Sequence, residues 1–442
     1  MTDIMLTSLP SEWRIERLGQ LFRERKEKVS DKDFEALSVT KNGIVPQLDN
    51  AAKTDDGDNR KGVRRGDFVI NSRSDRKGSS GISELDGSVS LINIVLEPRR
   101  IYPRFAHHLL RSSAFQEEFY RWGHGIVADL WTTRYFDMKN IRVGVPHLAT
   151  QKKIASFLDR ETSRIEQLIE QKNRYLVAIN ERLSAQTNQI LSNGLNAKAP
   201  KQAVASAILG EIPSHWSAER LRFSIRKIEQ GWSPQCENRN AEPQEWAVLK
   251  VGAVSTGVFR EKEHKALPEA LLPRPEFEVR EGDVLAARAS GSPHLVGRAA
   301  YVDSVRPRLM LSDKHYRFTI DQRKLLPRFL VFVLNSPKSR AQIEIRLSSA
   351  EGMARNIGQD VLKNIWWGVP PIEEQAEIVE VLDHAVRSAK RITERVQTSM
   401  DRLRELHSSL ITAAVTGRVD IATWQDRESA ERLSTAGTEF PV

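Results

Sequence analysis

The stretch Leu9-Pro-Ser-Glu-Trp13-Arg-Ile-Glu-Arg-Leu18 recurs 203 residues later as Ile212-Pro-Ser-His-Trp216-Ser-Ala-Glu-Arg-Leu221. The Pro, Ser, Trp, Glu, Arg and Leu positions are identical in the two copies. A repeat of this kind indicates that one structural unit occurs twice in the chain.

Three further matches follow in the same order along the chain. They are Gly66-Asp67 with Gly282-Asp283, Pro103-Arg-Phe105 with Pro327-Arg-Phe329, and residues 139–146 with residues 363–370. The offset grows from 203 to 224 before the Pro-Arg-Phe element, so the insertions fall inside the domain and not at its edges. This pattern predicts two copies of one scaffold whose variable loops recognise different targets.

A heptad-like stripe of small and apolar residues follows each copy. In the second copy it comprises Ile378, Leu382, Ala385, Ala389, Ile392, Val396, Ser399, Leu403, Leu406, Leu410 and Ala413, and in the first Ile154, Leu158, Ile165, Leu168, Tyr175, Ile179, Leu183 and Ile190. Spacings of four and three are typical of a coiled-coil seam. About 40 residues give a rod of about 60 Å. Two such rods in one chain most simply pair antiparallel, and the alternative is that each packs on its own domain.

The sequence therefore predicts a tandem duplication of α/β (α+β) domains separated by two long helices that form an antiparallel coiled coil. The predicted boundaries are 1–143 for the first domain, 144–196 for the first helical spacer, 197–367 for the second domain, 368–420 for the second spacer and 421–442 for a C-terminal tail. Within the domains, apolar runs predict strands at 67–70, 89–95 and 246–251 and helices at 102–121 and 326–347.

The charge balance favours a polyanionic partner. Lys and Arg number 67 against 58 Asp and Glu, a formal net charge of +9, and nucleic acid is the usual partner of such a protein. Charge alone leaves open a basic protein that binds none. Cys236 is the single cysteine, which excludes an intramolecular disulfide and a multi-thiolate metal site. No apolar run approaches the ~20 residues of a membrane span, and the first residues lack a secretory pattern, so we expect a cytoplasmic protein.

Loops rich in small and basic residues follow the Gly-Asp element in both copies. Glycine lets the backbone approach a phosphate, and hydroxyls form hydrogen bonds with phosphate oxygens. Arginine forms a bidentate pair of hydrogen bonds with the edge of guanine. An ordinary solvated loop is the alternative for either loop alone, but its recurrence favours DNA binding. The candidates from these loops and from other basic positions are Asn71, Arg73, Arg76, Lys77, Ser79, Ser80, Arg134 and Tyr135 in the first copy, and Lys250, Arg288, Ser290, Ser292, His294, Arg298, Lys314, His315, Arg355 and Asn356 in the second.

The sequence predicts no catalytic or metal site. The pair Pro370-Pro371 follows Val369 and not the Asn or Asp that an amino-methyltransferase needs, and no Gly-x4-Gly-Lys-Ser/Thr stretch for ATP is present. The stretch Glu263-His-Lys265 resembles half of a restriction-nuclease site. The aspartate that such a site needs upstream is missing.

The combination resembles the specificity (S) subunits of type I restriction-modification systems, the HsdS family. The matching elements are the two Pro-Ser-x-Trp stretches, the two Gly-Asp turns, the domain-to-helix junctions at 145–151 and 369–375, and Ala414-Val-Thr-Gly417 at the end of the second helix. At the first junction, His147 and Thr150 replace the usual Pro and Glu.

This resemblance implies that each globular domain is a target recognition domain for one half of a bipartite, asymmetric site in double-stranded DNA. It implies that the helices fix the gap and dock two modification (methyltransferase) subunits, with restriction/translocase subunits joining the complex. The chain itself would be non-catalytic, and S-adenosylmethionine, ATP and Mg would act in the partner subunits. The main alternative is a coiled-coil scaffold with non-specific DNA binding; a weaker one is an enzyme that acts alone.

Overall fold

The computed structural model describes residues 5–7, 9–48, 57–125, 131–254, 256–348, 355–419 and 421. The chain divides into two compact units, one formed by Met1–Arg174 with Val396–Val442 and one formed by Tyr175–Arg395. We call them unit 1 and unit 2. Each holds one copy of the repeated domain and part of each long helix.

Apart from α1, whose counterpart at Leu221–Phe223 is a 3-10 turn, the α-helices lie in corresponding places in the two copies. Within the described residues they are α1 (Leu18–Leu21), α2 (Pro103–Arg111), α3 (Ser113–Arg121), α4 (Tyr135–Met138), α5 (Leu148–Asn193), α6 (Pro327–Asn335), α7 (Pro337–Ser348), α8 (Gln359–Lys363) and α9 (Ile372–Val415). In this part of the chain, no helix combines the length and the hydrophobicity that a membrane span needs.

The domain of unit 1 is built on a four-stranded antiparallel sheet. The strands described in the whole domain are β1 (Arg14–Arg17), β2 (Phe22–Glu24), β3 (Lys28–Val29), β4 (Leu37–Thr40), β5 (Gly43–Pro46), β6 (Arg60–Val63), β7 (Phe68–Asn71), β8 (Ser80–Ile82), β9 (Gly87–Val89), β10 (Asn93–Pro98) and β11 (Arg142–Val145). The main sheet has the order β2-β10-β7-β8 and lies beside a smaller sheet, β3-β6-β9, and the pair β4-β5. Helices α2 and α3 bury Phe105, Leu109 and Phe115 in the same apolar core as Phe68 of the sheet.

Unit 2 repeats the main sheet of unit 1, but the smaller sheet beside it is built differently. Its strands are β12 (Lys201–Ala203), β13 (Glu211–Pro213), β14 (Ser217–Arg220), β15 (Ile225–Gln230), β16 (Ala247–Leu249), β17 (His264–Ala266), β18 (Val284–Ala287), β19 (Ala289–Ser290), β20 (Ala299–Tyr301), β21 (Leu309–Met310), β22 (His315–Ile320), β23 (Arg355–Asn356) and β24 (Trp366–Val369). The order β15-β22-β18-β20 matches the main sheet of unit 1. The added sheet is β17-β16-β21, in which β16 and β21 run parallel.

The edges of the two domains are closed in the same way. Strand β1 pairs antiparallel with β11, which places Arg14 opposite Val145. Strand β14 pairs in the same way with β24, which places Ser217 opposite Val369. Each pairing joins the segment after the repeated tryptophan to the segment before the long helix. The predicted duplication is confirmed, and the copies differ in the strands added between these edges.

Each helix that the sequence predicted between the sheet and the long helix is instead a pair of helices. A serine with extended backbone separates them, Ser112 in unit 1 and Ser336 in unit 2. The Ser112 hydroxyl oxygen accepts a hydrogen bond from the Phe115 N–H at 3.2 Å, and that of Ser336 accepts one from the Ser339 N–H at 3.3 Å. The serine thus caps the second helix. Residues 89–95, predicted as one strand, are likewise split by a turn between β9 and β10.

The repeated tryptophan lies against the end of a long helix. Helices α5 and α9 are followed by Gly194 and Gly417, each with φ of +71°, a left-handed conformation that glycine adopts without strain. A Cβ atom at Gly194 would lie 3.2 Å from Cζ2 of Trp216, and one at Gly417 would lie 3.3 Å from Cζ2 of Trp13. Glycine is therefore required both by the turn and by the close packing.

The two long helices pack together within each unit. In unit 1, Ile154 and Leu158 from the start of α5 share an apolar core with Leu410 and Ala414 from the end of α9. In unit 2, Ile378 of α9 and Ile190 of α5 share a core. The start of one helix thus packs with the end of the other, as the predicted antiparallel pairing requires.

The inward stripe of α9 follows the predicted seam as far as Ala389 and departs from it at alternate positions beyond. Ile392 and Leu406 of the predicted seam are 39% and 46% exposed, whereas Met400, outside that seam, is 1% exposed. After Ala389 alternate inward positions move by one residue, to Thr393, Met400 and His407, while Val396, Leu403 and Leu410 of the predicted seam stay inward. Two spacings of four therefore follow one another, from Ala385 to Ala389 and from Ala389 to Thr393. Such a stutter unwinds a coiled coil locally. In α5, the predicted seam residues Leu168 and Tyr175 are also exposed.

Candidate DNA interface

The first candidate loop connects β7 to β8 and is held by its own polar groups. The Asn71 side-chain oxygen accepts a hydrogen bond from the Arg73 N–H at 3.1 Å, and the Asn71 N–H donates to the Ser79 carbonyl at 2.9 Å. Gly78 has φ of +84°, which a residue with a side chain rarely adopts. Asn71 therefore shapes the loop from within.

The cations of this loop lie at its surface. Arg73 and Arg76 flank Asp75, with nitrogen-to-oxygen distances of 3.4 and 3.8 Å. The Lys77 side chain is exposed and its Nζ lies 5.8 Å from the ring centroid of Tyr120. Solvated pairs of this kind contribute little stability, so these side chains are free to exchange partners with an anionic ligand.

The structure brings Arg134 to the same loop. The Ser74 N–H donates to the Trp131 carbonyl at 2.9 Å, and a bridge joins Arg73 to Thr132. Arg134 is exposed just after this segment. No local sequence pattern indicates this contact, because about 60 residues separate its two sides.

Three first-copy candidates lie inside the domain. The side chains of Ser79 and Ser80 are 6% and 0% exposed. Tyr135 is half-buried, donates its hydroxyl to the Phe22 carbonyl at 3.3 Å, and has its pKa raised by burial. These three side chains therefore lie beneath the surface of the loop and not at the exposed face that its cations form.

In unit 2, several candidates that are distant in sequence come together. The Arg288 N–H donates to the Lys314 carbonyl at 2.7 Å, and the guanidinium of Arg288 donates to the Asp313 carbonyl at 3.2 Å. Strand β19 pairs with β23, which places Ser290 opposite Arg355 and Ala289 opposite Asn356. Asn356 is exposed. The side chain of Arg355 lies outside the part that the structure describes.

The remainder of the second loop is supported by a residue that the sequence analysis missed. The buried guanidinium of Arg340 donates to the carbonyls of His294, at 3.0 Å, and of Val296. Burial, with Arg298 as a second cause, lowers its pKa to about 10. His294 is exposed, while Ser292 and Arg298 are half-buried. Since Arg340 lies 46 residues from His294, no local pattern indicates the contact.

Lys250 and Lys314, both candidates, line one cavity of about 470 Å³ in unit 2. The Nζ of Lys250 donates to the Asn240 side-chain oxygen at 3.1 Å, and the Nζ of Lys314 lies 3.1 Å from an Asp313 carboxylate oxygen. Lys265, which was not among the candidates, is a third lysine of the lining. The other lining residues are Ser233, Pro234, Gln235, Cys236, Val248, Leu249, Val251 and Ser312. We call this the three-lysine cavity; its cations and hydroxyls suit a phosphate oxygen.

His315 is in the core and not at the surface. Its side chain is 0% exposed, and Nδ1 lies 2.8 Å from the Ser312 hydroxyl. Burial lowers the pKa of His315 to about 4, so the ring is neutral at pH 7. Because β22 begins at this residue and its side chain points inward, His315 positions Ser312 at the cavity and does not itself face a ligand.

Among the described residues, no three His, Cys, Asp or Glu side chains are grouped so that they could hold a metal ion. The histidines that the sequence places side by side, His107 and His108, meet edge to face with ring centroids 5.3 Å apart. His108 contacts Asp159, with its Nε2 at 2.8 Å from the carboxylate. This geometry is that of a polar contact between helices α2 and α5.

Comparison with known proteins relates the chain to a single kind of subunit. No protein-family model matches it. The type I restriction enzyme EcoEI specificity subunit of Escherichia coli is 30% identical over 206 residues, which are 46% of this chain and 34% of that protein. The EcoKI specificity subunit of Escherichia coli strain K12 is 26% identical over 341 residues, 75% of this chain and 68% of that protein. The chain thus aligns with about a third of the first relative and two thirds of the second.

Solved structures share the fold. A chain from a study of complex assembly and conformational transition of the type I R-M system superposes with a TM-score of 0.67 at 16% identity, covering 93% of this chain and 100% of that chain. The HsdS subunit from Thermoanaerobacter tengcongensis superposes with a TM-score of 0.51 at 17% identity, covering 93% of this chain and 98% of that chain. The chain is thus similar in sequence to named type I specificity subunits and shares its fold with a solved HsdS subunit.

Proposed function

We propose that this chain is the sequence-specific DNA-recognition subunit of a type I restriction-modification complex and reads a bipartite, asymmetric site. The observation that carries the proposal is that the two domains share one scaffold but differ in the segments between its edges. Both copies keep the same sheet order and the same edge pairing, while the strands between the edges differ. A shared frame presents two different surfaces, as two unlike half-sites require.

The charges at these surfaces support the same proposal. In unit 1, exposed Arg76, Lys77 and Arg134 lie on segments that touch one another. In unit 2, Arg288 lies beside Lys314 at the three-lysine cavity. Such clusters supply contacts to phosphate, which fix the position of a protein on a duplex.

On this proposal the paired helices dock two modification subunits and set the gap between half-sites, and restriction subunits join the assembled complex. S-adenosylmethionine, ATP and Mg act in those partners in the cytoplasm, and the chain contributes selection of the site without a chemical step. The homology to named specificity subunits supports this division of roles.

A direct test is to sequence methylated sites in DNA from cells that carry the chain with its modification subunits. We expect one bipartite motif with a fixed gap. Replacing Arg76 and Lys77 with glutamine should weaken or change one half of that motif only, whereas Lys390→Gln, an exposed cation of α9, should change neither half. A set of methylated sites without a shared motif would favour the alternative, a scaffold that binds DNA non-specifically.

A further inference from the structure

A cavity of about 470 Å³ lies inside unit 1, under the first candidate loop. We call it the junction cavity because its lining comes from α2 and α3, from the unit 1 parts of α5 and α9, and from two loops. Its lining includes charged and imidazole side chains, namely those of Lys41, Lys77, His107, Arg111, Glu166 and His407. None of them takes part in the edge pairing or the sheet core that define the fold.

Two hydrogen-bond donors face each other in this cavity. The Nδ1 of His107 accepts a hydrogen bond from the Ile82 N–H at 3.3 Å, so the proton of the neutral ring is on Nε2. That Nε2 lies 3.3 Å from Nη1 of Arg111, and a guanidinium only donates. Burial, with Arg111 as the second cause, lowers the pKa of His107 to about 3, so the ring is neutral. The pair therefore lacks an acceptor between its two N–H groups.

A third ring nitrogen at the same cavity is also unsatisfied. The Nε2 of His407 is buried and makes no hydrogen bond among the described residues. The Glu166 carboxylate is 3.6 Å away, which is beyond hydrogen-bond range. A buried polar atom without a partner costs about 1–3 kcal/mol, so a ligand with several acceptor oxygens would relieve more than one such cost.

The second copy shows that the fold does not need this polar cluster. The Pro-Arg-Phe alignment places Val331 and Phe332 at the positions of His107 and His108, and Asn335 at that of Arg111. Val331 and Phe332 pack against the apolar core of unit 2. The same helix position is therefore filled by apolar side chains in one copy and by imidazoles in the other.

From this geometry we infer that the junction cavity binds a phosphate-type oxyanion between His107, Arg111 and the lysines. Lys41 and Lys77 are exposed at its rim and, within the described residues, neither is ion-paired. With Arg111 they outnumber Glu166, the carboxylate of the lining. Tetrahedral oxygens would accept from His107 Nε2 and Arg111 Nη1 together, and charge-assisted bonds of this kind are the strong ones.

A bound anion would link the first candidate loop to the long helices. Lys77 belongs to the first candidate loop, and His407 belongs to α9. An anion held by both would order the loop against the helix pair. This inference does not depend on the proposed reading of DNA sequence, because it concerns the chemistry of one cavity.

Binding of inorganic phosphate to the full chain tests the inference. We expect saturable binding at this cavity, with a dissociation constant on the order of 1 mM. Broadening of the ³¹P signal at constant ionic strength measures it. Arg111→Gln should weaken binding about tenfold, since it removes a charge-assisted hydrogen bond. Lys41→Gln, an exposed change, should weaken it severalfold. Lys390→Gln, which removes an exposed cation of α9 outside both cavities, is the matched control and should have no effect.

Two results would overturn the inference. One is the absence of saturable phosphate binding by the wild-type chain. The other is unchanged affinity in the Lys41→Gln and His407→Gln variants, which decide the matter even where Arg111→Gln fails to fold. Adding a duplex identifies the source of the anion. Release of bound phosphate by DNA points to a backbone phosphate, and retention points to a free phosphate; both support an oxyanion site.

Discussion

The side-chain oxygen of Gln375 accepts a hydrogen bond from the backbone N–H of Leu326 at 3.0 Å. The amide nitrogen of the same side chain donates to the carbonyls of Lys324 and Pro370 at 2.8 and 3.1 Å. Gln375 is fully buried. One amide thus fastens the first turn of α9 to the start of α6 and to the end of the strand that precedes α9.

Gln151 makes the same connection in unit 1. It accepts from the Tyr102 N–H and donates to the Pro146 carbonyl, both at 2.8 Å. The repeat of the glutamine is visible in the sequence, but its role is not, because its partner at Tyr102 lies 49 residues away.

We expect Gln375→Leu to lower the free energy of unfolding of the chain by about 2–4 kcal/mol, because it leaves buried backbone N–H and C=O groups unsatisfied. Gln151→Leu should act similarly on unit 1. Urea unfolding measures both. Gln171→Ala, at an exposed position of α5, is the control; an equally large loss there would show that the buried connection is not the cause.

Removing one lysine of the three-lysine cavity should weaken DNA binding and reduce its dependence on salt. For Lys314→Gln and for Lys265→Gln, we expect the slope of log affinity against log salt to fall by about 1, as for the loss of one phosphate contact. Fluorescence anisotropy at several salt concentrations measures it. Lys390→Gln removes the same charge from α9. A slope that falls equally in this variant would indicate a general charge effect and not a contact at the cavity.

The buried imidazole of His315 predicts a loss of stability in mild acid. Its pKa is about 4 in the folded chain and about 6.5 when unfolded. Between these values the unfolded chain binds a proton that the folded chain does not, so stability falls as the pH falls. The slope is about 1.4 kcal/mol per pH unit for this one group.

Denaturant unfolding from pH 7 to pH 4.5 compares the wild-type chain with His315→Leu. We expect a flatter pH dependence in the variant, whatever its stability at pH 7. His294→Gln, at an exposed position, controls for loss of a histidine as such. An unchanged slope in His315→Leu would mean that other groups cause the acid sensitivity.

A heptad inserted into each long helix should change the gap between half-sites and leave the half-sites themselves unchanged. The proposed insertion points are after Arg174 in α5 and after Arg395 in α9, where the compact units divide. Seven residues lengthen a helix by about 10 Å, which is about three base pairs. Methylation-site sequencing gives the gap. Altered bases in either half-site with an unchanged gap would contradict a spacing role for the helices.

The sequence predicted the frame because the frame repeats. Trp13 and Trp216 mark the same edge of the two domains, and heptad spacing marks the long helices. It did not predict which loop residues face outward. Ser80 and His315 follow patterns shared with surface loops, yet both begin strands whose side chains point inward. Lys265 and Arg340 were missed because their partners come from distant segments.

The shift of the α9 seam could not be predicted for a different reason. Ile392 and Leu406 fit a strict heptad, and Met400 does not. Helical periods of 3.5 and 3.6 residues differ by only ~20° per heptad, so an apolar residue one place away competes for the same position. The packing of the partner helix decides between them.

Unit 1 is assembled from two distant parts of the chain, whereas unit 2 is one continuous stretch. The core around Ile154 and Leu158 is completed by Leu410 and Ala414 of α9. During synthesis, domains generally form from the N-terminus onward. Here the domain made first is finished last, because its apolar surface stays uncovered until the end of α9 has left the ribosome. The core of unit 1 is thus completed only after the whole of unit 2 has been synthesised.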